Sequence, residues 1–234
     1  MFKQYFKQAV QMLKENRLAS TISILGTALS IAMILVVVLQ FQIRLVSFAP
    51  ESNRDRMLYI LGIQADSRDD KNRNSTAMSD GVVKECLYGL QTPEAVTAIA
   101  VGNTIVSLPN RRLFEEYMVR YTDPGFWKVF DFHFLSGTPF TEADFSSGLP
   151  RAVITDRLAR KLFGSEEPVG KEILMGYVAY TVTGVVKEPT RAAGSSYSDV
   201  WVPYTSNINY VDMKSCGGVC GNFTAVILAR TSGD

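Results

Sequence analysis

The hydrophobic and polar positions divide the chain sharply at one place. From Thr21 to Leu39 it reads TISILGTALSIAMILVVVL, without a charge and with only Ser and Thr as polar side chains. A bilayer core takes roughly 20 such residues at about 1.5 Å each, so the run predicts a membrane-spanning helix over 18–46. A buried core helix would carry a polar stripe, and this run has none. A cleaved signal peptide would have an apolar region of only roughly 7–15 residues and then a small-x-small site. Ser47-Phe48-Ala49 offers such a site, but Pro50 follows it and the basic leader is long. The run reads as an uncleaved anchor.

Upstream, Phe2, Phe6, Val10 and Leu13 recur at helical spacing, and Lys3, Lys7 and Lys14 fall largely elsewhere. This predicts an amphipathic helix over 1–17 lying against anionic headgroups, so membrane lipid is its partner. Lys3, Lys7, Lys14 and Arg17 precede the span, and Arg44, Arg54 and Arg56 follow it beside Glu51 and Asp55. That bias, with the leader, places the N-terminus in the cytoplasm and residues from about 49 onward outside.

Beyond the span the pattern changes to short alternating runs. Strands are predicted at Met57 to Ile63, Val96 to Leu108 and Leu113 to Tyr121, the last two paired across Pro109-Asn110. Further strands are read at Ala152 to Ile154, Glu172 to Met175, Tyr180 to Val186, Val200 to Val202 and Asn222 to Arg230. Asp66 to Asn74 is a charged loop. Ser79-Asp80 caps a helix to about Leu90, Thr122-Asp123-Pro124 starts a short aromatic one, and Asp156 to Phe163 forms another, with Gly164 as its C-terminal cap. Phe126, Trp127, Val129 and Phe130 read as a core anchor. Helices and strands mix without a regular βαβ period, so the class is α+β in two subdomains. Thr231-Ser232-Gly233-Asp234 are helix-start residues with no helix after them, so the sequence is expected to be truncated.

Composition excludes more than it identifies. The 234 residues carry a formal net charge of +1, which gives no field for nucleic acid. Gly164 to Lys171 (GSEEPVGK) superficially resembles a phosphate loop, but its glycines are misplaced, Glu172 stands where Ser or Thr is needed, and Glu166-Glu167 repel phosphate. A turn before a strand is the better account, and no nucleotide or cofactor site is expected. His133 is the only histidine and sits between two phenylalanines, so a metal cluster or a His-dependent triad would have little to build on, and a packed or half-exposed strand residue is expected. Cys216 and Cys220, in SCGGVCG, form a candidate disulfide for an oxidising compartment, with a redox or metal pair as the rival reading. Cys86 is expected as a buried free thiol.

Several stretches together resemble the MacB/FtsX-type ABC transporter permeases. They are the leader and span from Phe6 to Leu35, with Lys14-x-Asn16 and an early Gly26, then DPGFWKVFDFHFLSGTPF (Asp123 to Phe140) and RAVITDRLARKLFG (Arg151 to Gly164). EPVGK (Glu167 to Lys171), YTVTGVVKEP (Tyr180 to Pro189) and VWVPY (Val200 to Tyr204) complete the set. The resemblance implies a periplasmic core domain over 47–234, with a porter-like lobe and a smaller inserted subdomain at roughly 151–189. It also implies three further spans that this sequence lacks, pairing as a homodimer or with a paralogous permease, and a separate cytoplasmic ATPase subunit in the inner membrane. The expected role is a non-catalytic permease fragment of an efflux or export system whose domain relays ATP-driven motion and meets substrate or a periplasmic partner. A single-anchor ligand-binding sensor domain is the alternative, which would need a pocket of convergent polar groups. A membrane-bound hydrolase would need a nucleophile–base pair, and none is readable.

Overall fold

The computed structural model describes residues 4–5, 11, 15–65, 74–109, 115–207 and 220–231. The predicted amphipathic leader therefore lies almost wholly outside the described residues, as does the charged loop over 66–73. Two compact units result, Met1–Val46 and Ser47–Asp234.

The first unit is the helix α1 (Arg17–Leu45, 29 residues), about 44 Å long at the standard rise. Its most apolar window of 18 residues has a mean hydropathy of 2.7. Leu25, Leu29 and Leu35 are exposed, as lipid-facing side chains must be in a lone span. Its hydroxyls bond within the helix: Thr21 Oγ1 donates to Arg17 O (2.7 Å), Thr27 Oγ1 to Ser23 O (2.8 Å) and Ser30 Oγ to Gly26 O (2.8 Å). Hydrocarbon offers those groups no other partner.

The second unit is built on a nine-stranded sheet. Its strands are β1 (Met57–Ile60), β4 (Ala95–Ser107), β5 (Glu115–Thr122), β6 (Phe134–Gly137), β7 (Arg151–Thr155), β8 (Glu172–Met175), β9 (Val178–Val186), β10 (Val200–Pro203) and β11 (Thr224–Leu228). A separate hairpin pairs β2 (Ile63–Ala65) with β3 (Asn74–Thr76). The order is β1-β11-β4-β5-β10-β7-β9-β6, with β8 alongside β4 and β9. Residues 151–189, expected as an insert, supply β7, β8 and β9 to this same sheet.

Period-two alternation explains how one sheet has two cores. Ala98, Ala100, Ile154, Val200 and Val202 turn to one face, where they meet Leu158 and Leu162 of helix α5 (Asp156–Phe163). Ile99, Val153, Trp201 and Val226 turn to the other face, where they meet Phe126 and Phe130. Phe126 opens helix α3 (Phe126–Val129) and Phe130 caps its end, within the predicted aromatic block. Trp201 is wholly buried, and its ring sits 6.2 Å from that of Trp127 and 5.0 Å from that of Phe132. Sequence reading finds neither β6 nor the short helix α4 (Glu142–Ser146), which a reciprocal box between Thr141 and Asp144 caps.

Three expectations are corrected. The run Met57 to Ile63 is two strands, because a Cβ at Gly62 would lie 2.6 Å from Thr76 O; the chain turns there to change sheets. The helix capped by Ser79 opens as α2 (Asp80–Val82) and ends early, in a π-helical turn, Val83–Leu87. Cys86 is exposed rather than buried, since that wide turn sends Val83 and Leu87 inward and Cys86 out.

Candidate functional site

The sequence-derived chemistry stays dispersed. Among the described residues no group of three or more His, Cys, Asp and Glu could hold a metal ion. Cys216 lies outside the described residues, and Cys220 is half-buried at a bridge to Met78. His133 is exposed just before β6, and its backbone carbonyl accepts from Lys187 N at 3.0 Å. Gly164 to Lys171 forms the turn between α5 and β8, with Lys171 paired to Glu166.

The organised polar site is instead the segment through which the chain enters the domain. Glu51 is only 1% exposed. Its Oε1 accepts from Ser195 N (3.1 Å), Ser196 N (3.1 Å) and Ser196 Oγ (3.0 Å). Its Oε2 takes Arg54 Nη2 at 2.6 Å and Nε at 2.7 Å, so one edge of the guanidinium closes on a single carboxylate oxygen in charge-assisted bonds. Arg54 also donates to Ala192 O (3.1 Å) and stacks over Phe48, 4.3 Å from its ring centroid.

The loop that receives Glu51 is held from below as well. Arg120, buried on β5, donates to Tyr197 O (2.8 Å) and Gly194 O (2.5 Å). Burial pulls its guanidinium down to about 10, against the favourable field of Glu51, so it remains a cation. Arg157 pins the loop's two ends, meeting Glu188 at 3.0 Å and Asp199 at 2.7 Å. Burial, reinforced by the Glu51 carboxylate, pushes Tyr59 up to about 12. Pro50 O accepts from Asp131 N at 2.8 Å, which ties the link to the aromatic block.

A second clasp joins the entering segment to β11. The two strands run antiparallel, Met57 opposite Leu228. Arg56 Nη1 donates to Ala229 O and Arg230 O, both at 3.0 Å, and pairs with Glu94 at 3.0 Å. Ala229 N returns a bond to Arg56 O (2.9 Å).

Asp123 forms a further buried centre. Its Oδ2 accepts from Tyr88 Oη (2.5 Å) and Ala98 N (2.7 Å), and its Oδ1 from Phe126 N (3.2 Å). Burial raises its carboxyl to about 6, against the lowering effect of these bonds. Burial and the neighbouring carboxylate push the Tyr88 phenol far up. Gly125 permits the turn that follows, because a Cβ there would meet Val96 O at 2.3 Å.

What these groups do is fasten: the entry link, the 190–199 loop, β5 and the end of β11 are tied into one polar frame. Sequence reading treated Glu51, Arg54 and Arg56 only as flanking charges. The Glu51-x-x-Arg54 spacing was a signal, but the loop it grips lies some 140 positions further along.

An apolar helix of membrane-spanning length followed by this sheet, with its two cores, makes an α+β domain preceded by a candidate anchor. A model of the MacB-like periplasmic core domain matches residues 20–228, and the chain belongs to that family. It is 24% identical over 210 residues to the macrolide export ATP-binding/permease protein MacB of Shewanella sp. (strain W3-18-1), covering 86% of this chain and 31% of the relative. It is 24% identical over 234 residues to the uncharacterized ABC transporter permease YknZ of Bacillus subtilis (strain 168), covering 97% of this chain and 56% of the relative. The chain thus spans about a third to about half the length of these relatives. Among solved structures, the extracellular domain of YknZ superposes with a TM-score of 0.56 at 21% identity, covering 75% of this chain and 84% of that one. The periplasmic region of MacB from Actinobacillus actinomycetemcomitans gives 0.56 at 16% identity, covering 74% of each.

Proposed function

We propose that this chain is the N-terminal part of a non-catalytic permease subunit of an ABC-type export system. In this reading the domain relays motion, driven by a separate cytoplasmic ATPase, to a substrate or periplasmic partner. The N-terminus lies in the cytoplasm, the span crosses the inner membrane, and the subunit pairs with a second copy or a paralogue. The observation that carries the reading is the double clasp of Glu51 and Arg56. A domain that transmits displacement must not absorb it where the chain enters, and these residues fasten the entry segment both to the 190–199 loop and to the end of β11. The names of the relatives, as export permeases, supply the direction of transport.

The test is co-purification of the full-length gene product with a cytoplasmic ATPase, followed by measurement of ATP hydrolysis in nanodiscs. The expected result is a stable complex whose hydrolysis rate changes when Glu51→Gln loosens the entry clasp. A permease that purifies alone under the same conditions, or a complex indifferent to that substitution, counts against the relay.

A further inference from the structure

At the open edge of the sheet, β1 leaves apolar surface uncovered. Leu58 is 61% exposed and Leu90 42%. Leu58 lies directly opposite Ile227, so their side chains share a face, and Ile227 packs against the main core. Together with Pro93 and Ala229 they line a groove of about 680 Å³, within the roughly 300–1,000 Å³ of small-molecule sites. Water against such a wall forgoes hydrogen bonds, and an apolar chain displacing it gains in proportion to the area covered.

One end of the groove is basic. Arg230 lines it, is exposed, and donates from Nη2 to Gln91 O at 3.1 Å. Among the described residues no carboxylate pairs with it. Arg56 stands next to it through Arg230 O, but Glu94 matches that charge. An apolar wall with one unmatched guanidinium at its rim complements a tail with an anionic head. A peptide strand suits the edge less well, since β1 offers only four residues of backbone.

We propose that this groove binds a single-chain anionic amphiphile, a long-chain carboxylate, with its tail along Leu58, Leu90, Pro93 and Ile227 and its head on Arg230. The site needs only the folded domain and does not rest on the export reading.

The experiment uses the full chain in phosphatidylcholine nanodiscs with a diazirine-bearing palmitic acid, photolysed and mapped by mass spectrometry. Adducts are expected on residues 57–61 and 88–93, competed by unlabelled palmitate. Arg230→Gln is expected to lower them about tenfold, the loss of one charge-assisted bond, and Leu58→Asp to abolish them. A long-chain alcohol probe should label the same peptides about tenfold less, for the same reason. Leu58 and Arg230 are exposed, so both variants should melt as the parent does, which circular dichroism checks. Adducts confined to α1 overturn the proposal. So do groove adducts that survive Leu58→Asp, equal labelling by the alcohol, or shielding of the groove by a second copy of the chain.

Discussion

Glu51 and Asp123 are both buried carboxylates, and they are stabilised in opposite ways. Glu51 stands against a guanidinium at 2.6 Å and accepts from two backbone amides and a hydroxyl. Asp123 has neutral donors: a phenol, the Thr97 hydroxyl and two amides. An adjacent cation offsets the cost of burying charge, and neutral dipoles do so only in part. The entry link is therefore fastened by a charge pair, whereas burial raises the carboxyl of the centre beneath α3 to about 6. The segment through which the chain enters the domain is the one given the ion pair.

The largest effect should come from breaking the first arrangement. Glu51→Ala leaves Arg54 and Arg120 without their buried carboxylate and should destabilise the domain by about 3–5 kcal/mol, read from urea unfolding of the full chain followed by tryptophan fluorescence. An effect below about 1 kcal/mol would place Glu51 among ordinary surface pairs.

Asp123 should give a pH signature next in size. Its carboxyl titrates at about 6 in the fold against 3.8 when free. The folded state thus keeps a proton that the unfolded chain has released. The stabilisation is full below about pH 3.8 and is lost as pH rises through about 6, a total of about 3 kcal/mol. Other acids titrate too, so the observable is the difference between the parent and Asp123→Asn. That difference should change across this window and be flat above about pH 7.

Arg56→Ala removes the bonds to Ala229, Arg230 and Glu94 and should cost about 1–2 kcal/mol. Hydrogen exchange at Ala229 should accelerate while that of β5 stays unchanged; uniform acceleration would mean that the clasp has no local role. Smallest is Thr141→Ala, which deletes the α4 cap at about 1 kcal/mol, visible as a modest fall in melting temperature without change at the entry link.

Much of the secondary structure was legible because it depends on near neighbours. The span, the β4–β5 pairing, and α5 with its Gly164 terminus follow from hydropathy, alternation and capping chemistry. The errors arose where distant contacts overrule local pattern. Gly62 breaks an apparently continuous strand because Thr76 O crosses beside it. The β6 strand escaped notice because it is short and half-buried, so its alternation is weak. Of the polar frame, only residue types could be read; Glu51 and Arg54 are visible as neighbours, but nothing local marks Ser195 or Arg120 as their company.

By itself the sequence determined that this protein has one apolar helix of membrane-spanning length and a mixed α+β domain after it, since burial periodicity and uninterrupted apolarity are written residue by residue. Only the tertiary structure decided that β10 lies between β5 and β7, and that Glu51 meets the 190–199 loop and Arg56 the end of β11. Those pairings join residues separated by up to 174 positions. Their energy depends on which surfaces the sheet order brings together, and no local preference encodes that order.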